Sequence, residues 1–277
     1  MVGVNRRLVA MPFLVWIAIF IITPIFLVII YSFSVEVDGR LVFSMNNYLR
    51  VLDPIYLVVL RRSVTLALTC TAVCIILGYP VAYILASREF MRRGFLLFLF
   101  LVPMWMNFLL RTYSWVSILE RNGFVNSILE LARIPKMDFL YNNSAVLLGM
   151  VYNFLPFMIL PIYSVLKKSD KSLEEAAQDL GASPFQVFLK ITLPLSLPGV
   201  VSGITMVFMP AASTFIIADL LGGTQNMLIG NLIEQQFLKA NDWHFGSALS
   251  VVLMALILVS FAIFSRVDKN EGEGVLF

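Results

Sequence analysis

Ser172-Leu-Glu-Glu-Ala-Ala-Gln-Asp-Leu-Gly-Ala-Ser-Pro-Phe-Gln-Val-Phe-Leu-Lys-Ile-Thr-Leu-Pro194 is a polar, charged island in a chain that is otherwise mostly apolar. Ser172 is placed to cap a helix, and Glu175, three residues on, completes a capping box. Ala176 and Ala177 favour helix, and Gly181 supplies a left-handed residue to end it. Ser183-Pro184 starts a second short helix with proline at its first position, and Leu193-Pro194 stops it. The run therefore reads as helix, tight turn, helix. Its apolar side, Leu173, Ala176, Ala177 and Leu180, needs a surface to pack against. That surface is either the chain's own bundle or a partner.

Around this island, 60% of the 277 residues are hydrophobic and 13% are charged, with a mean hydropathy of +0.89. Such a composition excludes an ordinary soluble globule. Six apolar stretches are long enough to cross a bilayer as helices, at about 8–33, 63–86, 95–119, 144–166, 199–220 and 246–265. Arg6 and Arg7 precede the first as they would a signal peptide. Its apolar run is roughly twice the length of a signal core, however, and no small-residue cleavage site follows. It is expected to stay in the membrane.

Six spans put both termini on one side, with the loops 87–93 and 167–198. Eleven Lys and Arg residues fall on that side (among them Arg88, Arg92, Arg93, Lys167, Lys168 and Lys171) and eight on the other. The bias makes the termini and the Glu175 loop cytoplasmic. A net charge of +3 is the ordinary surplus of basic inner loops and needs no nucleic acid. Cys70 and Cys74, four apart on the second span, read as buried thiols packing a helix face rather than as a metal or disulfide site.

Within the spans, Pro80 is expected to kink the second, where Gly78, Ala82 and Ala86 allow close packing. The third carries Trp105, Asn107, Arg111, Tyr113 and Trp115, with Asn107, Arg111 and Trp115 spaced to share one helix face. An arginine deep in a span is costly. It forms an internal ion pair, snorkels to the surface, or faces a cavity or an acidic partner. The loop 120–143 reads as polar and external, ending in Tyr-Asn-Asn-Ser that can cap the fourth span. Pro156 and Pro161 bend or break that span, which favours a helix lining a pathway. The fifth contains Pro210 and ends with Phe215 and Asp219 four apart on one face. Asp219 either pairs with Arg111 or faces the path as a cation site beside an aromatic ring. Glu234 follows in an acidic, amide-rich and aromatic outer loop that also holds His244, the sole histidine.

Phosphate-loop, G-x-S-x-G, H-E-x-x-H and paired-cysteine patterns are absent from the sequence. With no nucleophile or metal constellation, an intramembrane enzyme is a remote reading. An ATPase-independent channel is another, and it has no use for the Glu175 loop.

The spacing Glu175-Ala176-Ala177, three residues, Gly181, nine residues, Ile191-x-Leu193-Pro194 resembles the cytoplasmic signature loop of binding-protein-dependent ABC importer permeases, at every fixed position. Val102-Pro103, Trp105-x-Asn107, Arg111-x-Tyr113, Asp219-Leu-x-Gly-Gly223 and Leu228-Ile-Gly-Asn231 resemble the polyamine branch of that family, the spermidine/putrescine (PotB-type) permeases. The likeness runs from Asn46-Asn47-Tyr48 to Phe245-Gly246.

The resemblance implies an all-α integral membrane protein of six transmembrane helices, a type I ABC importer permease fold in one domain over 1–277, with a cytoplasmic coupling helix. It implies a bacterial inner-membrane location and a translocation subunit rather than an enzyme, holding no cofactor itself. A partner ATPase dimer (PotA-type) would bind ATP and Mg, beside a second permease (PotC-type) and an extracytoplasmic binding protein (PotD-type). Glu175, Ala176, Ala177, Gly181, Ile191, Leu193 and Pro194 would couple to the ATPase. Asp219, Phe215 and Glu234, with Trp105, Asn107, Arg111 and Tyr113, would line the substrate path. Another small organic solute of the same branch, such as an opine, an amino acid or an organic cation, is the alternative substrate.

Overall fold

The structure, a computed structural model, describes residues 6–87, 95–223 and 226–274. The loop arginines Arg88, Arg92 and Arg93 lie outside the described residues. In chain order come α1 (Arg6–Ile17), a π-turn, α2 (Thr23–Ser32), β1 (Ser34–Val37), β2 (Arg40–Phe43), α3 (Asn46–Val51) and α4 (Pro54–Ala86). They are followed by α5 (Phe95–Leu101), α6 (Phe108–Leu119), α7 (Phe124–Leu131), α8 (Asn143–Lys168) and α9 (Ser172–Asp179). The chain closes with α10 (Pro184–Val187), α11 (Leu193–Ser213), α12 (Ile229–Leu238) and α13 (Trp243–Gly274). Five described helical stretches are long and apolar enough to cross a membrane: Met11–Ser32, Pro54–Ala86, Asn143–Lys168, Pro184–Ser213 and Trp243–Arg266.

The described chain forms two compact units, one of residues up to Val59 with Leu232–Leu256, the other of Leu60–Asn231 with the segment from Ile257. In the first, β1 and β2 form an antiparallel hairpin that pairs Val37 with Arg40. Asp38 and Gly39 turn it, both at positive φ (51° and 72°), as a two-residue turn of matching twist requires. Asn47 fastens the hairpin to the end of α2, donating from Nδ2 to the carbonyls of Ser32 and Ser34 at 3.3 and 2.9 Å. Arg50 reaches Asp242 at 2.8 Å and lies over the Phe245 ring at 3.9 Å.

In the second unit α8 and α11 run antiparallel at close range. A Cβ added at Gly199 would sit 2.9 Å from the Pro161 carbonyl and 3.0 Å from the Ile162 Cα; one at Gly203 would sit 2.6 Å from the Met158 sulfur. Gly78 of α4 faces the same methionine, its virtual Cβ 3.1 Å from Met158 Cγ. Met158 is fully buried, so three helices meet on it. Tyr79 and Ser196 add a 2.8 Å hydroxyl–hydroxyl bond between α4 and α11. The expected close packing at Gly78 and Ala82 is found, and Cys70 and Cys74 are buried free thiols.

Several expectations need correction. The stretch 95–119 is not one helix. Pro103 cannot donate to a helical ladder, the chain passes through a 3₁₀ turn at Val102–Trp105, and Asn107 is extended (ψ 132°) before α6 begins. Asn107 therefore precedes the helix whose face it was expected to share with Arg111 and Trp115. The second span begins at Pro54 rather than 63. Of the bend or break expected at Pro156 and Pro161, the break is not found, since α8 runs through both. Leu193-Pro194 does not stop the helix before it. A π-turn over Phe188–Thr192, closed by the Leu193 N–H on the Phe188 carbonyl, carries the chain on into α11, because the wider turn makes its bonds before the proline that cannot donate. α11 itself ends at Ser213, so Asp219 lies beyond it on a separate π-turn. The loop 120–143 is not merely polar but contains the amphipathic helix α7.

Replacing Gly199 by leucine forces α8 and α11 apart, because the atoms in the way are main chain. Thermal unfolding of the detergent-solubilised protein is expected to show a loss of about 1–3 kcal/mol. The same change at Gly39, which has open space around it, costs only the strain of its positive φ.

Candidate functional site

The island at 172–194 folds as two helices joined at Gly181, whose φ of +86° needs no Cβ. The Gly181 N–H bonds the Gln178 carbonyl and the Ala182 N–H bonds the Ala177 carbonyl, the paired closure of a Schellman end. Ser172 is not the cap that was expected. The Asp170 carboxylate takes the Ser172 N–H at 2.9 Å, one residue ahead of Lys171 at the cap position. The capping box lies instead at Ser183 and Gln186, with Pro184 next in line.

Its roots are polar. Lys171 Nζ donates to the Ala86 carbonyl at 3.0 Å, and Thr192 Oγ1 donates to Glu174 at 3.0 Å. Tyr83, Ser87, Lys171, Glu174, Glu175 and Thr192 line a cavity of about 290 Å³ there. The opposite side is apolar and bare, with Leu180 89% exposed and Leu173, Ala176 and Phe185 exposed beside it. α9 does not lay this side on its own unit, so of the two surfaces open to it the chain's own bundle is not used. Ile191 and Leu193 lie on the continuous path through the π-turn into α11.

The other candidates lie toward the opposite end of α8 and α11. Asp219 and Phe215 are both exposed and sit one turn apart, the Asp219 N–H bonding the Phe215 carbonyl at 2.9 Å. Asn231 holds this break in the chain, donating to the Phe215 carbonyl at 2.8 Å and accepting from the Leu228 N–H at 3.1 Å. Gly230 lets it close, since a Cβ there would be 2.7 Å from the Ser213 carbonyl. Packing of Gly149 on Ile217 and Leu221, and a 2.8 Å bond from the Tyr141 N–H to the Leu221 carbonyl, fix the Asp219 turn on the start of α8.

α6 packs against the same turn. Arg111 on α6 is 8% exposed, and its buried Nε has no acceptor. No ion pair joins it to Asp219, and among the described residues neither has a charged partner within 4.0 Å. The internal ion pair is thus not formed. Asn107 Oδ1 caps α6 through the Leu109 N–H at 2.8 Å. Trp105 and Tyr113 are exposed, with Trp105 edge-on to Phe98. Glu234 is half-exposed on α12 and belongs to the other compact unit. Among the described residues His, Cys, Asp and Glu do not gather in threes. Sequence reasoning missed Lys171, Glu174 and Thr192 at the root of the island. It quoted Asn231 only as part of a pattern, and an asparagine after a glycine in a long loop carries no stronger signal.

Residues 75–270 match the model of the binding-protein-dependent transport system inner membrane component. This chain belongs to that family. It is 41% identical over 266 residues to the spermidine/putrescine transport system permease protein PotB of Escherichia coli K12, a match covering 93% of this chain and 97% of that protein. The PotB of Haemophilus influenzae is 37% identical over 260 residues, covering 92% of this chain and 91% of that one. A solved bacterial ABC transporter involved in import of the acidic polysaccharide alginate superposes with a TM-score of 0.77 at 17% identity, covering 96% of each chain. A chain of the inward-facing MetNI methionine transporter gives 0.58 at 14% identity, covering 79% of this chain and 98% of that one. The fold is that of ABC importer permeases, and the chain is a multi-pass membrane permease subunit, not an enzyme.

Two outcomes follow for the hairpin. Asp170 is exposed, and its carboxyl is held below the usual range by the Ser172 N–H, with the Ser172 hydroxyl as a second donor. A depressed folded pKa means that this support is complete above the ordinary value of about 3.9 and is lost as pH falls through the lower folded value. Amide exchange at Ser172–Glu175 should therefore accelerate only in that acid window, and Asp170→Ala should abolish the transition. Gly181→Val puts a branched side chain at positive φ, costing about 1–2 kcal/mol. Exchange across Ser172–Asp179 should rise about tenfold or more.

Proposed function

We propose that this chain is the PotB-type permease of an ATP-driven importer of spermidine and putrescine. The match along nearly the whole chain to the PotB permeases carries this reading. In it the chain is one permease domain that crosses the membrane six times, with 95–119 as a third span broken at Pro103–Asn107. Both termini and the 172–194 hairpin are cytoplasmic, in agreement with the Lys and Arg bias.

The hairpin is the coupling element. Its bare side of Leu173, Ala176, Leu180 and Phe185 supports docking into a groove of a PotA-type ATPase dimer, which holds the ATP and Mg. Glu175, Ala177 and Gly181 set the shape that docks, and Ile191, Leu193 and Pro194 join it to α11. Because α11 continues from the hairpin and is locked to α8 through Gly199, Gly203 and Met158, a shift of the hairpin moves both helices together. α8 has 26 residues, so the motion reaches about 39 Å along the pair at 1.5 Å per residue. At the far end stands the Asp219 turn.

Closure of the ATPase dimer by ATP opens the permease and its PotC-type partner outward, to accept cargo from a PotD-type binding protein. Hydrolysis returns them inward. A flexible polycation needs carboxylates and ring faces rather than many bonds of fixed geometry. Asp219, exposed beside Phe215 and unneutralised by Arg111, supplies one such pair. Trp105 and Tyr113 add ring surface to the path, while Asn107 and Arg111 shape it.

The test is uptake of labelled spermidine and putrescine in cells lacking their own importer, given this chain and its partner genes. Energy-dependent uptake is expected from the wild type. Asp219→Asn should raise the half-saturating concentration about tenfold, about 1.4 kcal/mol of lost attraction. Glu175→Lys should abolish uptake while the chain still reaches the membrane. An assembled wild-type complex that moves neither polyamine overturns the substrate assignment.

A further inference from the structure

α7 carries an apolar ridge that the described residues leave uncovered. Phe124, Ile128 and Leu131 recur at i, i+4 and i+7 on one face and are 67%, 49% and 85% exposed. Ile134 and Met137 extend the exposed apolar surface past the helix.

The ridge is held rigidly. Asn126 is fully buried and makes three bonds with its amide: Nδ2 donates to the Glu120 and Met137 carbonyls at 3.2 and 3.0 Å, and Oδ1 accepts from the Met137 N–H at 2.9 Å. Gly123 lets the helix start against the end of α6, because a Cβ there would fall 2.4 Å from the Ser117 carbonyl. Lys136 closes the loop on Glu130 and Asn122, at 3.5 and 3.3 Å. A loop this well fastened does not shed an apolar face by moving.

Its level is set by its neighbours. Leu119, the last residue of α6, shares a cavity of about 280 Å³ with Asn142 and Ala145 at the start of α8. Asn142 caps α8 through the Ala145 N–H at 2.9 Å, and the apolar stretch long enough to cross a membrane, Asn143–Lys168, begins at the next residue. α7, between the end of α6 and the start of α8, therefore lies in the plane where a membrane-spanning helix enters the bilayer.

We propose that α7 is an interfacial helix, its Phe124–Ile128–Leu131 ridge embedded in the lipid of the membrane face at which α8 begins. Three observations select lipid over a protein partner. The ridge lies at the depth of the span's entry. It is a row of exposed aliphatic and phenyl groups, continued by Ile134 and Met137. Exposed Arg121 and Arg133 on the same loop suit lipid phosphates. Seated in this way, α7 anchors the N-terminal end of α8, the end that carries the Asp219 turn, against the membrane plane. The inference uses only the spans and is independent of the transported solute.

Spin labels test it in the full chain, with Cys70 and Cys74 replaced by alanine, reconstituted in vesicles of phosphatidylethanolamine and phosphatidylglycerol. Labels go at Leu131→Cys and Phe124→Cys on the ridge and at Glu130→Cys on its polar flank, roughly 120° around the helix. The ridge labels should collide severalfold more with oxygen, which partitions into lipid, than with a water-soluble nickel chelate. The Glu130 label should show the reverse. Nickel-dominated collisions at both ridge sites overturn the proposal. So does protection of the ridge that appears only when a binding protein is added, which assigns it to protein docking. Monodisperse chromatography of each variant confirms that the labelled chains are folded.

Discussion

The close approach of α8 and α11 is the contact on which the rest of the second unit depends. Lipid tails are as apolar as leucine, so two helices in a membrane gain little by hiding hydrophobic surface from them. They associate when their surfaces interlock closely enough for dispersion to favour each other over lipid. Gly199 and Gly203 remove the side chains that would hold the axes apart, and Met158 fills the space left, touching α4 at Gly78 as well. Both ends of the candidate machinery hang on this pair. The hairpin leads into α11 at one end, and the Asp219 turn rests on α8 through Gly149, Ile217 and Leu221 at the other.

A second constraint is that main-chain polar groups inside a membrane protein must find partners within it. Where a described helix starts, ends or is interrupted, an asparagine amide repeatedly supplies the partner. Asn47 takes the chain out of α2, Asn107 starts α6, Asn142 starts α8 and Asn231 spans the break after α11. The amide suits this because it donates and accepts at once without bringing a charge. Proline is tolerated for a related reason, since a π-turn placed ahead of Pro194 makes its bonds before the missing donor is reached.

Charges are treated differently. Asp219 is left exposed, and Arg111 is buried without an acid to neutralise it. An unpaired arginine in such a place is expensive, and a chain that carries one is not optimised for stability at that point. The unsatisfied Arg111 Nε lies on α6, which packs against the Asp219 turn. The hairpin end, by contrast, has its polar groups satisfied and its apolar groups bare, the pattern of a surface made to be covered.

How much of this was legible beforehand follows from the range of each interaction. The apolar spans, the island at 172–194, the turn at Gly181, the helix start at Ser183-Pro184 and the cap at Asn142 all rest on residues a few positions apart, and the sequence determined them. It also carried the family pattern from Glu175 to Pro194. The misread features were decided by competition or distance. Asp170 took the N–H of Ser172 and drew that residue into the helix it was expected to cap, and a π-turn spared Pro194 from ending a helix. The break at Asn107, the clamp by Asn231, the burial of Arg111 without Asp219 and the bare ridge of α7 depend on what lies opposite in space. Periodicity marks which face of a helix is apolar, but only the packed structure decides whether protein or lipid covers it, because to a leucine side chain the two are nearly equivalent.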